Sequence, residues 1–393
     1  MKLAILGADS TTLEVARTAA ATAEHEVVWL ADLGSAPSEL AGQLQQVAPR
    51  ARVAGTWEDL LDPKLVDAVV VASGDEDLRA AQLRTLVQVG IPLLIAHPVV
   101  DSMLIYFELD MIRRETHSVM VPYLPDRWHP GVAAIAAAFR AGTNSPIGAV
   151  EQVVLERHLR DRSRQAVRWQ FARDADTLRA VCGDILRLGA MGSAADSGYQ
   201  SLGVQMTGSD ERLIRWSVAP AESAPWGRLS LFGTSGRMQV TMHADRTPWT
   251  RAVTRAESPE STTAYDAWDP AAAALERLEA AVAVRPTDSE WTDAARSVEL
   301  METIDRSLKR GRTIDLHNED YSEAGTFKGL MASLGCGLLI VGLLLIMGIA
   351  LAEDAARALK VRIPLIDKWP YLLVGLLAVF LMLQFLSLVM KKK

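Results

Sequence analysis

The sequence predicts an α/β protein: a doubly wound parallel sheet, then an α+β domain with a mixed, largely antiparallel open sheet, then two transmembrane helices. Three observations support this fold class. The N-terminal part alternates short apolar runs with helical patterns, the middle holds several strand-like segments, and the C-terminal end contains two long uncharged stretches. Strands that alternate with helices are typical of a parallel sheet whose ligand crevice lies outside the carboxyl ends of its strands.

The first predicted strand is the apolar run from Lys2 to Leu6, which ends at Gly7 and leads into a helical pattern. A second apolar run, Val27 to Leu30, is followed by Asp32, which lies 25 residues after Gly7. That interval is near the one at which dinucleotide-binding units place the carboxylate that holds a ribose hydroxyl. The pattern therefore predicts a strand, a tight turn, a helix and a second strand.

A stronger strand signal follows, because the residues from Asp67 to Ser73 form a continuous β-branched run suited to a strand buried on both faces. Gly74 and a helical pattern from Glu76 to Val89 come next, and Leu93 to Ile95 supplies another buried strand. His97 lies just beyond this last strand, where the carboxyl end of a parallel strand borders the ligand crevice.

The second predicted domain contains four strand-like segments that indicate an open, largely antiparallel sheet. They run over Val150 to Leu155, Leu213 to Val218, Arg228 to Phe232 and Arg237 to Met242. The stretch from Ser258 to Asp269 is rich in Ser, Thr and Pro and predicts a surface loop.

Several landmarks occur in the order found in one known family. They are the Asp67 strand, the Gly90 to Pro98 segment, the residues Arg127-Trp-His-Pro130, and the later stretches Pro146 to Ala149, Leu231 to Gly236 and Ser307 to Leu316. With these landmarks, residues 1 to 317 resemble the Gfo/Idh/MocA family of NAD(P)-dependent oxidoreductases, many of which act on sugars and sugar derivatives. The resemblance implies a Rossmann-type dinucleotide-binding domain over residues 1–122 and an α+β substrate domain over residues 123–317.

The resemblance also implies NAD or NADP as cofactor and a small sugar-like ligand. The cofactor-binding positions that it assigns are Gly7, Asp9, Ser10, Thr11, Asp32, Ser73, Gly74 and Pro98. The substrate-pocket positions that it assigns are Arg127, His129, Arg187 and Met191.

The Gly90 to Pro98 segment departs from the family at its catalytic position. The family pattern ends in Glu-Lys-Pro, and its lysine lies near the nicotinamide and the reacting hydroxyl, where a cation stabilises developing alkoxide. This chain has Ala96, His97 and Pro98 there. A histidine can relay a proton near neutral pH, so His97 is the candidate catalytic residue. The alternative is a polar residue that caps a turn before Pro98.

Two further family motifs are altered. The glycine-rich loop keeps Gly7, but Asp9 takes the position of a second glycine, where a carboxylate would repel a pyrophosphate. Asp9 and Ser10 are alternatively N-cap residues of the first helix. In the motif Asp-x-Gly-x-His, which opens a substrate-domain helix, Arg187 and Met191 replace the aspartate and the histidine. Arg187 is either an anion ligand or a surface residue, and Met191 cannot exchange a proton.

The C-terminal end predicts a membrane hairpin after a linker at residues 318–328. Residues 329–352 contain no charged side chain, residues 371–390 form a second uncharged span, and each is long enough to cross a bilayer as a helix. The first strand follows Met1 without a signal peptide, and Lys328 and Lys391 flank the hairpin. We therefore expect a two-span membrane protein, with transmembrane helices over residues 329–390, whose soluble domains are cytoplasmic.

Charge and composition disfavour nucleic acid as a partner, and they indicate neither disulfides nor a metal site. Residues 1–327 hold 33 basic and 45 acidic side chains, which disfavours nucleic acid. Only two cysteines and seven scattered histidines are present, so neither a disulfide framework nor a metal site is indicated. The lipid bilayer and a second copy of the chain are the expected macromolecular partners.

Two functions remain open from the sequence. One is an oxidoreductase that acts on a sugar or polyol with altered proton chemistry, favoured by the retained architecture, Asp32, Pro98 and a proton relay through His97. The other is a catalytically inactive protein that binds a ligand or recruits a partner, favoured by the combined loss of the family's lysine, aspartate and histidine.

Overall fold

A computed structural model describes residues 1–35, 37–62, 64–195, 198–244, 247–255, 258–266, 268–284, 290–316 and 347. Within it, Met1–Leu316 forms one compact unit with two sheets. The predicted boundary near residue 122 stays a prediction, as does the expectation of a homo-oligomer.

The first sheet lies in the N-terminal part of the unit. Its strands are β1 (Lys2–Leu6), β2 (Glu26–Ala31), β3 (Arg52–Val53), β4 (Ala68–Val71), β5 (Leu93–Ile95) and β6 (Met120–Pro122). Its helices are α1 (Ser10–Ala21), α2 (Ser38–Val47), α3 (Glu76–Val89) and α4 (Met103–Thr116). The strand order is β3-β2-β1-β4-β5-β6, and every recorded pair is parallel.

This topology confirms the predicted doubly wound sheet. All four residues of β4 are buried, as the continuous β-branched run predicts. The chain order reverses between β1 and β4, so the switch point that binds ligands in such sheets lies beyond the carboxyl ends of these two strands. Gly7 and Gly74 follow these two ends.

The second sheet follows two helices, α5 (Pro125–Trp128) and α6 (Pro130–Arg140). Its strands are β7 (Val150–Leu159), β8 (Ile185–Ala195), β9 (Gly198–Gly208), β10 (Leu213–Pro220), β11 (Trp226–Gly233), β12 (Gly236–His243), β13 (Trp249–Arg255), β14 (Ser258–Tyr265) and β15 (Ile314–Asp315). The remaining helices are α7 (Arg164–Cys182), α8 (Pro270–Val284) and α9 (Glu290–Arg310).

The nine strands lie in the order β14-β13-β12-β11-β7-β10-β9-β8-β15. Among the described pairs β7 and β10 run parallel and the others antiparallel, which confirms a mixed, largely antiparallel sheet. One sequence prediction is wrong here, because Ser258–Tyr265 is an edge strand rather than a loop. The segment is rich in polar residues because it lies at the edge of the sheet, where it pairs only with β13.

Two buried aromatic pairs anchor helices α7 and α9. Phe171 of α7 meets Trp216 of β10 edge to face, with ring centroids 5.1 Å apart. Trp291 of α9 stacks on Tyr106 of α4 at 4.6 Å and donates a hydrogen bond to the Tyr106 carbonyl oxygen. Such pairs contribute about 0.5–1.5 kcal/mol beyond their buried area. They fix α7 and α9, which carry much of the polar site described below.

The prediction of a two-span membrane protein is contradicted. Among the residues described above, no helix is both long and apolar enough to cross a bilayer. Helices α7 and α9 have 19 and 21 residues, but both carry several charged side chains along their length, which a bilayer core disfavours. The predicted linker at residues 318–328 and the hairpin at residues 329–390 lie outside the described residues, apart from Met347.

Candidate functional site

The loop after β1 is organised by the carboxylate of Asp9. Gly7 adopts a left-handed conformation with φ of +79°, and Asp9 is the N-cap of α1. Its Oδ1 accepts a hydrogen bond from the Thr12 amide at 2.8 Å, and its own amide donates to Thr12 Oγ1 at 3.0 Å. The structure thus favours the N-cap alternative for Asp9, with Ser10 as the first helical residue.

Two successive hydrogen bonds, which start at the second oxygen of the same carboxylate, connect this loop to the loops after β4 and β5. Asp9 Oδ2 accepts a hydrogen bond from the Ser73 amide at 2.8 Å, and Ser73 Oγ donates to the Pro98 carbonyl oxygen at 2.8 Å. The structure therefore brings together three predicted cofactor-binding residues. The amides of Thr12 and Ser73 both donate to the Asp9 carboxylate, so they are not available to a bound anion.

Asp32 and Gly74 meet at a residue that the sequence did not single out, Arg79. The Arg79 side chain is only 2 % exposed, and its Nη2 lies 3.6 Å from Asp32 Oδ2. Gln82 links the two, since its Oε1 accepts from Arg79 Nη1 at 2.5 Å and its Nε2 donates to Asp32 Oδ2 at 3.3 Å. Burial lowers the pKa of Arg79, and the charges of Asp32 and Asp9 oppose that shift.

The Arg79 guanidinium fills the space that the two glycines leave open. A Cβ on Gly7 would lie 2.5 Å from Arg79 Nη2, and a Cβ on Gly74 would lie 2.9 Å from the same atom. A bound dinucleotide needs both this volume and the loop amides for its pyrophosphate. In this conformation the residues of the groove do not fit a dinucleotide, because Arg79 fills the volume and Asp9 binds the loop amides.

His97 is enclosed rather than presented to a ligand. It is 3 % exposed, and its Nε2 lies 2.8 Å from Ser297 Oγ. Because Ser297 Oγ donates to the Ala294 carbonyl oxygen at 2.7 Å, we assign the imidazole hydrogen to Nε2. Nδ1 then accepts from the Tyr106 hydroxyl at 3.2 Å. Burial first, and then two nearby arginines, lower the pKa of His97 to about 3.

Both ring nitrogens of His97 thus have partners, and the ring does not line the cleft described next. This geometry favours a structural role for the side chain, while catalysis by His97 stays a prediction. Its main chain has a second contact, because the His97 carbonyl oxygen accepts a hydrogen bond from Arg173 Nε at 2.9 Å.

A cleft of about 740 Å³ lies beside α7. Its walls come from α1, the segment around α5, α7, and the strands of the second sheet nearest β14. Four predicted site residues line it: Ser10, Thr11, Arg127 and His129. The other predicted residues of the cofactor groove do not line it.

Arg187 and Met191 do not belong to this cleft. The stretch that contains them lies in strand β8 and is not the start of a helix. It pairs with β9 along its length and with β15 at one end. Met191 is 80 % exposed, and Arg187 Nε lies 3.5 Å from Asp315 Oδ1 at the surface. Arg187 is therefore a surface residue, the second alternative drawn from the sequence.

Helix α7 supplies the polar face of the cleft instead. Gln170, Arg173, Asp176 and Thr177 recur at helical spacing and all line the cleft. A buried ion pair anchors this part of α7 to the second sheet. Asp174 is fully buried, and it accepts hydrogen bonds from Arg157 Nε at 2.9 Å and from Trp216 Nε1 at 2.7 Å.

Arg173 offers a cation to the cleft. Its Nε is fixed by the His97 carbonyl oxygen, and the side chain is half-buried. None of the ion pairs recorded among the described residues involves Arg173. Its terminal nitrogens are thus not committed to a carboxylate there, and they are strong donors for hydroxyl or anionic oxygen.

Asp176 offers an acceptor close to Arg173 on the same helix face. Its Oδ1 accepts from Arg127 Nη1 at 3.0 Å, while Arg127 Nη2 donates to Asp293 Oδ2 at 3.0 Å. The other oxygen, Oδ2, is buried and has no hydrogen-bond partner within the described part of the chain. Burial raises the pKa of Asp176 to about 7 against the opposing charge of Arg127. Unpartnered buried polar atoms are rare and point to a missing partner.

Aromatic rings form the opposite wall, around His129. The His129 ring centroid lies 4.2 Å from that of Trp249, 5.0 Å from Tyr265 and 5.3 Å from Trp268. His129 Nδ1 accepts from the Gly131 amide at 3.0 Å, and Nε2 is buried without a partner among the described residues. Burial lowers the pKa of His129 to about 4.

Sequence comparison finds no matching family model and no matching curated protein. Solved structures do match. A myo-inositol dehydrogenase from Corynebacterium glutamicum is 20% identical with a TM-score of 0.63, over 81% of this chain and 99% of that one. A UDP-N-acetylglucosamine 3-dehydrogenase from Acidithiobacillus ferrooxidans is 19% identical with a TM-score of 0.64, over 79% and 98%.

A third match is a 3-ketoreductase from Actinomadura kijaniata in complex with NADP, 16% identical with a TM-score of 0.65, over 78% of this chain and 97% of that one. At these identities the likeness shows the fold. The neighbours are oxidoreductases of the Gfo/Idh/MocA type, and this chain has their fold.

Proposed function

We propose that this chain binds a small sugar-like polyol in the cleft between α7 and the aromatic wall. The observation that carries the proposal is the buried, unpartnered Oδ2 of Asp176 beside the Arg173 guanidinium. Burying an oxygen without a partner costs about 1–3 kcal/mol, and a ligand hydroxyl that donates to it removes that cost.

The surfaces of the cleft suit a ring that carries several hydroxyls. Arg173 donates, Asp176 Oδ2 accepts, and His129 Nε2 carries a hydrogen because Nδ1 accepts from Gly131. Trp249 and Tyr265 provide flat apolar faces for the C–H side of a sugar ring. A few convergent polar groups within a mostly apolar pocket are typical of small-molecule sites.

Intrinsic tryptophan fluorescence of the full chain tests this proposal, because Trp249 and Trp268 line the cleft. The ligands are myo-inositol and UDP-N-acetylglucosamine, which the names of two structural neighbours contain, together with a panel of hexoses and polyols. We expect saturable binding of at least one ligand, weakened about tenfold or more in Asp176→Asn.

The matched control is Asp315→Asn, which removes an exposed carboxylate on β15 far along the sheet from the aromatic wall. Affinity in this control should equal that of the wild type. No saturable change with any ligand, or equal losses in the two variants, contradicts the proposal.

A second candidate is an NAD(P)-dependent sugar or polyol oxidoreductase. The shared fold favours it, as does Asp32, which follows β2 where the family resemblance assigns a ribose contact. The enclosed His97 and the filled groove favour binding without turnover. Reduction of NAD⁺ or NADP⁺ in the presence of the ligand that binds most tightly separates the two, since the binding function alone gives none.

A further inference from the structure

We propose that Arg79 and Asp9 are a built-in occupant of the dinucleotide groove, and that a dinucleotide binds only when the Arg79 side chain leaves the space between Gly7 and Gly74. The four residues that carry this inference, Gly7, Asp9, Gly74 and Arg79, are not among those that line the polyol cleft. The inference therefore does not depend on the ligand proposed above.

Asp9 takes the place of a phosphate. Its carboxylate accepts one amide hydrogen from the α1 N-terminus and one from the loop after β4, at 2.8 Å each. A helix N-terminus favours negative charge, and a pyrophosphate in such folds uses the same kind of amide donor. The anion position is thus satisfied from within the chain.

Arg79 occupies the volume of the ligand. Its Nη2 lies where a side-chain atom on either glycine would collide with it, at 2.5 Å for Gly7 and 2.9 Å for Gly74. In dinucleotide folds the first glycine makes the tight turn after the first strand, and the pyrophosphate passes beside this turn to reach the helix N-terminus. Here the same room holds a guanidinium that pairs with Asp32 and hydrogen-bonds to Gln82.

The buried Arg79 side chain lacks one of its hydrogen-bond partners. Arg79 Nε is buried and has no hydrogen-bond partner in the described part of the chain. Arg79 stands in the first turns of α3, so rotation of its side chain leaves the backbone of the groove intact. Displacement of the side chain therefore needs no change in the fold.

Calorimetric titration of the full chain with NADH and NADPH tests the inference through binding rather than turnover. The variants are Arg79→Ala, which empties the space, and Arg79→Gln, which is shorter and uncharged but keeps an amide that can donate a hydrogen bond to Gln82. The control is Arg84→Ala on the same helix, which removes a half-exposed ion pair with Glu108. Thermal unfolding of each variant checks that it is folded.

We expect both Arg79 variants to bind a dinucleotide at least tenfold more tightly than the wild type and the Arg84→Ala control. If Arg79→Ala does not fold, Arg79→Gln alone carries the test. Tight binding by the wild type, weaker binding by the Arg79 variants, or no binding by any of them overturns the inference. Weaker binding would identify Arg79 as a phosphate ligand instead. The polyol titrations are unaffected by any of these outcomes.

Discussion

Arg173 Nε donates a hydrogen bond to the main-chain carbonyl oxygen of His97 at 2.9 Å. This contact connects the segment that resembles the family's catalytic motif with the helix that faces the cleft. The imidazole of His97 points into the interior, toward Ser297 and Tyr106, while its carbonyl group holds a guanidinium at the cleft wall. In this chain the segment thus contributes to the cleft through its backbone.

Arg173→Ala should weaken polyol binding about tenfold or more, because it removes a charged donor from the cleft. Fluorescence titration of the full chain measures the affinity. The control is Arg164→Ala at the start of the same helix, which removes an exposed arginine paired with Asp305. Equal affinities of the wild type and Arg173→Ala would refute a binding role for this residue.

His97→Ala should lower the free energy of unfolding by about 2–4 kcal/mol, because it leaves a cavity and takes a hydrogen-bond partner from both Ser297 and Tyr106. Denaturant unfolding measures this loss. Polyol affinity should change little, since the carbonyl group that holds Arg173 remains. Ser297→Ala removes the same bond from the other side and should show non-additive stability with His97→Ala. Unchanged stability with lost turnover would instead support the proton relay.

The raised pKa of Asp176 predicts a specific dependence of stability on pH. Its folded value of about 7 exceeds the ordinary value of 3.8, so the folded state holds this proton more tightly. Stability from this group is full below about pH 3.8 and falls as the pH rises to about 7. The lowered pKa values of His97 and His129, about 3 and about 4, act in the opposite direction below about pH 6.5.

Comparison with Asp176→Asn isolates the aspartate, because both histidines are present in both proteins. The Tm of the wild type minus that of the variant should fall from about pH 4 to about pH 7 and stay level above that range. Differential scanning calorimetry across this range measures the difference. A difference that is constant or rises over the same window would show that Asp176 titrates normally.

Asp174→Ala should destabilise the fold by about 3–5 kcal/mol, because it leaves the buried Arg157 guanidinium without its main counter-charge. Asp174 also accepts hydrogen bonds from Trp216 and Gln170, which lose their partner in the variant. Chemical denaturation measures the loss, with the exposed Asp184→Asn as a control. A loss below about 1 kcal/mol would mean that solvent or Asp126 replaces the missing carboxylate.

Much of the fold was predictable because its signals are local. The run over β4 consists of β-branched residues buried on both faces, and Gly7 marks the turn that opens α1. Strand β14 was missed because its Ser, Thr and Glu residues lie at an edge, where pairing on one side suffices.

The site was less predictable, because it depends on which helix faces the cleft. Arg173 and Asp176 lie on α7 among several other charged residues. The only sequence signal that marks the cleft side is that Gln170, Arg173 and Thr177 share one face of the helix. Arg79 did leave a signal. It lies at helical spacing from the buried Leu83 and Leu86, where a charged residue needs a buried partner.

A crystal structure of the full chain soaked with its tightest-binding polyol tests the central claim most directly. We expect density for the ring against Trp249, with a hydroxyl within hydrogen-bond distance of Asp176 Oδ2 and another near the Arg173 guanidinium. A ligand bound outside this cleft, or one that leaves Asp176 Oδ2 without a partner, would contradict it.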